Sequence, residues 1–264
     1  MKKHCKQFTF ATVTSLGLLS ALPASAVLTA SDQFTDTDTT LNGNTGGTGW
    51  NGVWRGNTTS TNVSPTSLAY GGAAVPTVGG SVNVLDNNSG HFRTLSAGLG
   101  TDGTTIYLSY LAQSSSGGGY AGISLFNGSD SDEVFFTGKP TGYTNFGFFR
   151  TDSPAAVTST SPVTTLSLLI YKIEFGAGTT TGNERVSLFV NPALGTEPAT
   201  ASASALDVGS FIFDRIRIQA GNGDSGSVDE IRFGTTYADV VPEPSAALMA
   251  ALGVFSLVLR RRRA

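Results

Sequence analysis

Thr105-Ile106-Tyr107-Leu108-Ser109-Tyr110-Leu111 places Ile106, Leu108 and Tyr110 on one face of a period-two pattern. β-Branched and aromatic residues in that alternation predict a β-strand. Residues 166–175 repeat the style, with Leu169, Tyr171, Ile173 and Phe175 on one face and Lys172 and Glu174 on the other. Residues 185–190 alternate Val186, Leu188 and Val190 against Ser187 and Phe189, and 211–219 and 228–233 follow the same pattern. Shorter candidates are 82–85, 92–95, 121–126, 133–137 and 146–150. Gly, Asn, Asp and Ser fill the joints, as turns require. No stretch between residues 27 and 241 offers a long helical stripe or a fixed-period repeat. This density of short strands predicts an all-β fold, a single jelly-roll-like β-sandwich over residues 27–236.

Composition narrows the function classes. Of 264 residues, 39% are hydrophobic, enough to build a core. Only 13% are charged, against about 25% in ordinary soluble domains. Cys5 is the single cysteine, and His4 and His91 are the only histidines. A disulfide scaffold, a Cys-ligated metal, a thiol nucleophile and a multi-histidine metal site are excluded on that count. Between residues 27 and 241, nine basic side chains face eighteen acidic ones, a net charge of −9. Nucleic acid, which needs clustered Lys and Arg, is not an expected partner.

Both ends read as addresses. Lys2, Lys3 and Lys6 precede an uncharged apolar run over 8–22, and Ala24-Ser25-Ala26 then offers a small-x-small cleavage site. Residues 1–26 are thus expected to be a secretory signal peptide, cut by signal peptidase. At the other end, residues 237–245 read as a linker carrying Pro242-Glu243-Pro244. Residues 246–259 are uncharged and mostly apolar, an expected transmembrane helix. It would span about 21 Å of a hydrocarbon core about 30 Å thick, so flanking arginines must snorkel. Arg260, Arg261, Arg262 and Arg263 make 260–264 a basic cytoplasmic tail that sets the orientation in the membrane.

This tripartite tail resembles the PEP-CTERM sorting signal of Gram-negative and related bacteria, with Pro242-Glu243-Pro244, the apolar stretch and the arginine cluster in that order. The resemblance implies recognition by an exosortase, a membrane transpeptidase-like enzyme, near that motif. Three stretches of the body look like exported PEP-CTERM proteins with a concanavalin A-like or laminin G-like jelly roll. They are Gly46-Gly47-Thr48-Gly49-Trp50, Phe211-Ile212-Phe213-Asp214-Arg215-Ile216-Arg217 and Val228-Asp229-Glu230-Ile231-Arg232-Phe233-Gly234. Such folds often bind carbohydrate, sometimes through calcium, and many have no assigned activity. A fold alone does not license a function.

Candidate chemistry is sparse. Gly223-Asp224-Ser225-Gly226 has only His91 as a base partner, and a turn explains the tetrapeptide. A glycoside hydrolase needs two carboxylates across one bond. Asp132-Glu133 and Asp229-Glu230 are adjacent strand residues, which point to opposite faces unless a bulge intervenes. Calcium is the one cofactor the loop acids could take, with Asp130 and Asp132 in one set and Asp224 and Asp229 in another; turns favour the same residues. Trp50, Trp54, Tyr120 and Tyr143 lie in Gly-rich segments and are candidates for stacking on sugars; core packing is an equal claim on the two tryptophans. The sum is an exported bacterial surface or extracellular-matrix protein, structural or adhesive and without catalysis of its own. It would be membrane-anchored in the cell envelope before sorting. The alternatives are a calcium-assisted carbohydrate-binding module, with extracellular polysaccharide as partner, and a divergent glycoside hydrolase.

Overall fold

A computed structural model of the chain describes residues 28–36, 39–56, 61–71, 77–86, 90–153 and 155–241. The signal peptide with Ala24 and Ala26, the Pro242-Glu243-Pro244 motif, the apolar stretch and the terminal arginines lie outside these residues. No helix among the described residues is long and apolar enough to cross a membrane.

In chain order the strands are β1 (Leu28–Asp32), β2 (Trp50–Gly56), β3 (Thr61–Ser64), β4 (Ser81–Val84), β5 (Gly90–Leu99), β6 (Thr105–Ser114), β7 (Tyr120–Phe126) and β8 (Glu133–Lys139). Then come β9 (Asn145–Arg150), β10 (Val157–Pro162), β11 (Ser167–Glu174), β12 (Arg185–Val190), β13 (Ala203–Ala205), β14 (Phe213–Gly221), β15 (Gly226–Gly234) and the short helix α1 (Tyr237–Val240). They form two antiparallel sheets stacked as a sandwich. Sheet A runs β13-β12-β11-β6-β15-β4-β3, with β1 also on β15; sheet B runs β10-β9-β8-β7-β14-β5-β2.

The alternation read from the sequence builds the core. Ile106, Leu108 and Tyr110 of β6 and Leu169, Tyr171 and Ile173 of β11 pack against Ile123, Leu125, Phe135, Phe148, Ile216 and Ile218 of sheet B. The opposite face of β6 and β11 is buried too. Tyr107, Leu111, Leu168, Ile170 and Phe189 form a second apolar cluster with Tyr237, Val240 and Val241. The folded body therefore continues to Val241, and residues 237–241 are not a linker. α1 carries a capping box between Thr236 and Asp239. Ser109 Oγ donates to the Val240 carbonyl at 2.7 Å, fixing the segment on sheet A.

A buried ion pair joins the sheets. Asp32 ends β1 in sheet A, and Arg93 is a core-facing residue of β5 in sheet B. Arg93 Nη1 pairs with Asp32 Oδ2 and donates to the Gly46 carbonyl at 2.6 Å. Asp32 also accepts from Trp54 Nε1 at 2.8 Å and from Phe34 N at 2.9 Å. The guanidinium lies over both indoles, 5.1 Å from Trp50 and 5.6 Å from Trp54. The Gly46–Trp50 segment must pass close to β1 here: at Gly47, with φ +80°, a Cβ would stand 2.0 Å from the Ser31 carbonyl oxygen.

Burial raises the Asp32 pKa, opposed by the hydrogen bonds from Trp54 and Phe34 and by the Arg93 charge. Burial also lowers that of Arg93, opposed by Asp32. Removing one partner strands the other charge in the core, at a cost of about 3–5 kcal/mol. Arg93→Met is expected to lower unfolding free energy by that amount. Arg93→Met combined with Asp32→Asn should cost less than the two single changes summed. Urea unfolding followed by tryptophan fluorescence reads both, since both indoles sit on the pair.

Candidate functional site

Sheet B turns one face to the core and the other away from it. On the outer face the strand registers align four glycines, Gly90 on β5, Gly122 on β7, Gly138 on β8 and Gly147 on β9, with the Gln219 side chain of β14 between Gly90 and Gly122; all five are buried. Four inter-strand spacings make this row about 19 Å long. Backbone approach demands glycine: a Cβ at Gly122 would stand 2.0 Å from the Thr137 carbonyl oxygen. The row is pinned from beneath by sheet A. The Tyr171 hydroxyl crosses the core, accepts from Gly138 N and donates to the Gly147 carbonyl, both at 2.9 Å.

Two residues along each strand, a second row forms one wall: Phe92, Arg217, Ser124, Phe136 and Phe149. Tyr120, opposite Gly221, rises on the other side. Tyr120 and Phe136 start about 14 Å apart along the strand direction. Their ring centroids are 6.1 Å apart and edge-on, so the rings lean together over the glycines of β7 and β8. Phe136 stacks on Phe149 at 5.1 Å. Beyond Phe149 lies a pocket of about 200 Å³ lined by Pro140, Thr141, Tyr143, Phe149, Ser153 and Ala156. Tyr143 is 39% exposed there.

The wall is polar at its centre. Arg217 lies over Phe126 at 4.8 Å and Phe92 at 5.3 Å, and its Nη2 pairs with Glu133 Oε2 at 3.2 Å. Glu133 Oε1 accepts from Ser124 Oγ at 2.7 Å, and Gln219 Nε2 donates to the same hydroxyl oxygen. Farther along, Asp130 pairs with Arg55 and Arg215, and Arg215 also holds Asp214. The Arg215 hydrogen bond keeps the Asp214 carboxyl below its usual range against the opposing effect of burial. Gln219 Oε1 and Arg217 Nε are buried without a hydrogen-bond partner among the described residues. Buried polar atoms left so are costly, and an internal water is their usual remedy.

The sequence candidates divide around this face. Tyr120 and Tyr143 are on it. Trp54 is not a sugar platform: it is fully buried in the core. Trp50 packs on that core with Nε1 donating to the Ser31 carbonyl, and Arg93 covers its ring. The paired calcium sets do not assemble. Asp224 is buried against Lys139 Nζ at 2.6 Å and accepts from Ser115 Oγ and Gly117 N. Asp229 accepts instead from Leu68 N at 2.9 Å. Asp130 is committed to its arginines, and Asp132 stays exposed in the same turn. No group of three or more acidic, His or Cys side chains among the described residues could hold a metal ion. His91 is buried in β5, opposite Ile218, away from a hydrolytic role.

The strand-alternation argument fails at one pair. A bulge in β15 separates Asp229 from Arg232, and Glu230 takes φ +54°. Asp229 and Glu230 are therefore buried together where β1 replaces β4 as the neighbour of β15. Glu230 accepts from Val78 N at 2.9 Å, Gln33 Nε2 at 3.0 Å and Arg232 Nη2 at 2.7 Å. With these oxygens used on the chain's own backbone and side chains, the pair is structural rather than an open acid–base site.

No family model matches the chain, and no curated protein matches it in sequence. Solved structures with a similar course include a cellulose-induced protein, Cip1, at 12% identity and TM-score 0.41, covering 67% of this chain and 86% of that one. A botulinum neurotoxin serotype D binding domain shares 11% identity at TM-score 0.44, over 80% and 48% of the two chains. The receptor binding domain of a mosaic serotype C/D botulinum neurotoxin shares 9% at 0.46, over 81% and 49%. This chain spans about half the length of those toxin domains. Likeness at this level carries no functional argument.

Two buried groups give the fold a pH signature. Burial raises Asp229 to about 7, opposed by the Leu68 hydrogen bond and reinforced by the Glu230 charge. Burial lowers His91 to about 4. Folded Asp229 binds its proton more tightly than unfolded, so its contribution is full below about pH 4 and is lost as pH rises through about 7. His91 has the opposite sign: its contribution is lost as pH falls from about 6.5 to about 4. In that shared window the slopes oppose each other. Relative to the unmodified protein, Asp229→Asn should tilt stability upward with pH by up to about 1.4 kcal/mol per pH unit. His91→Gln should tilt it downward. Urea unfolding across pH 4–7 measures both slopes, and unchanged slopes would refute the assignment.

Proposed function

We propose that this chain is an exported bacterial surface or matrix protein that adheres to extracellular polysaccharide through the outer face of sheet B and performs no catalysis. The observation that carries the adhesive part is the pocket at the end of this face, where the Tyr143 ring is exposed beside Phe149. A pyranose ring needs such a place: an apolar ring face to stack on with polar groups at its rim. The absence of catalysis is supported by how the carboxylates of this face are held. Glu133, Asp130 and Asp214 are each tied to an arginine, whereas a glycosidase needs one carboxyl free to stay protonated.

Export and sorting rest on the two ends of the sequence: the signal peptide ending at Ala26, and Pro242-Glu243-Pro244 followed by an apolar stretch and four arginines. Signal peptidase and an exosortase are the processing partners of this reading. The chain would cross the inner membrane, stay anchored by residues 246–259, and reach the envelope or matrix after cleavage.

Binding to cell-surface polysaccharide, measured by affinity electrophoresis, should weaken at least about tenfold in Tyr143→Ala, the size of a stacking anchor. Tyr143 is exposed, so its loss should leave the melting temperature unchanged within about 2 °C. Equal binding by this variant would remove the Tyr143–Phe149 pocket from the account. For sorting, intact-mass analysis of protein from cell surface and medium should show loss of residues 1–26 and of everything beyond the Pro-Glu-Pro region. Replacing the four terminal arginines with serine should leave the C-terminal segment attached. Unchanged processing in that variant would refute the tail reading.

A further inference from the structure

We infer that the outer face of sheet A carries a second polysaccharide-contact site, an open polar groove that takes sugar hydroxyls through Asn83 and Gln113. The inference rests on the glycan-binding reading above and extends it to the opposite sheet. The strand registers lay five uncharged polar residues in one row: Thr40, bridged to Asn62 of β3, then Asn83 of β4, Ser227 of β15 and Gln113 of β6. Their strand neighbours Val63, Val82, Val84, Ala112 and Val228 belong to the core, so alternation turns the row outward. Four inter-strand spacings make it about 19 Å long. Unlike the glycine row of sheet B, this row is accessible: Asn62 and Gln113 are exposed, and Thr40, Asn83 and Ser227 are half-buried.

Around Asn83, Ser227 and Gln113 the surface dips into a groove of about 380 Å³, whose sides add Leu85, Ser115 and Ser225. Two residues farther along β4 and β15, chain covers the sheet: Ser81 Oγ donates to the Thr66 carbonyl and Asp229 accepts from Leu68 N, both at 2.9 Å. That segment banks the groove on one side. Internal hydrogen bonds preset its two amides. Ser227 Oγ donates to Asn83 Oδ1 at 2.7 Å, which leaves the Asn83 amide nitrogen to donate outward. Gln113 Nε2 donates to the Thr164 carbonyl at 2.7 Å, which leaves Oε1 to accept. A donor and an acceptor thus stand two strands apart, about 10 Å. Sugar hydroxyls donate and accept alike and recur along a polymer, so one chain laid across the strands can meet both. Leu85, 42% exposed at the groove wall, offers an apolar contact to the C–H face of a sugar ring. Amides already held in place lose less freedom when a ligand binds.

Retardation in native gels cast with polysaccharide extracted from the host surface reads both sites. Protein recovered from the host envelope in mild detergent is run unmodified, as Tyr143→Ala, and as Tyr143→Ala combined with Asn83→Ala and Gln113→Ala. Tyr143→Ala should leave a residual retardation, and the two groove substitutions should weaken that residue at least about fivefold further. The melting temperature should stay within about 2 °C of the unmodified protein. If the alanines lower it, Asn83→Asp decides instead, since it keeps the acceptor for Ser227 Oγ and removes only the outward donor; the same weakening is expected. Residual retardation that the groove substitutions leave unchanged, or none remaining in Tyr143→Ala, would overturn the second site while the pocket reading stands on the effect of Tyr143→Ala. Retardation unmoved by Tyr143→Ala but lost with the groove substitutions would keep the groove and remove the pocket. No retardation of the unmodified protein would overturn both.

Discussion

The pairing of Arg93 with Asp32 across the sandwich is the constraint on which the other arrangements depend. Neither charge is reachable by water, and burial shifts both pKa values toward neutrality. The pair persists because both oxygens of Asp32 accept hydrogen bonds: Oδ2 from Trp54 Nε1 and the guanidinium, Oδ1 from Phe34 N. Through the Gly46 carbonyl the same guanidinium orders the Gly46–Trp50 segment against β1. β1 in turn occupies the edge of β15 that β4 vacates. The bulge at Asp229-Glu230 falls at that handover, so two acids that simple alternation would separate are buried together. A chain with few charges thus places several of them in its interior, where each specifies a contact between distant segments.

The residues that shape the outer face of sheet B are positioned from within. Tyr171 stacks on Tyr110 at 6.0 Å in the core, and its hydroxyl takes up the backbone groups of Gly138 and Gly147. Those groups are bound by a tyrosine of the opposite sheet because the glycine conformations turn them inward; Gly138 has φ +120°. Packing of the two sheets and the backbone course of the outer glycine row are therefore one problem. A rigid row fixed by core hydrogen bonds can present flanking rings without itself adapting to a ligand, which limits the ordering cost of binding.

The parts of this fold visible in the sequence are those where one face of a strand is strongly apolar. β6, β11, β12 and β14 lie where period-two alternation places them, and their inward residues are the core. The sequence reading missed β1, β2, β3, β10 and β13 because their local pattern is weak. Val157-Thr158-Ser159-Thr160-Ser161-Pro162 and Ala203-Ser204-Ala205 become strands only by pairing at sheet edges. The two tryptophans stood among glycines, a setting that suits an exposed platform as well as a tight turn. Only the position of Asp32 and Arg93 around them decides for the core. The glycine row could not be read at all. Gly90, Gly122, Gly138 and Gly147 are scattered along the chain, and each alone looks like a bulge or turn. Their alignment exists only in the register of five strands.

The same register explains why charge is a poor guide to this surface. Arg217 is the most conspicuous cation of the wall, yet its energy is spent within the protein. Phe126 and Phe92 pack against its plane, Glu133 neutralises it, and Ser124 and Gln219 complete the network around that carboxylate. Its role is to hold a flat, polar-centred wall between the phenylalanines, as a planar cation can and a lysine could not. What remains for a partner is the shape and ring face of the Tyr143–Phe149 pocket. A site of that kind gains only modest affinity from each sugar, because stacking and neutral hydrogen bonds compete with water. Many copies displayed on one envelope and facing one long polymer convert modest contacts into durable attachment, since each later contact forms at high effective concentration. Surface display and a small ring-faced pocket are on this view complementary: anchoring supplies the multiplicity that a weak site requires.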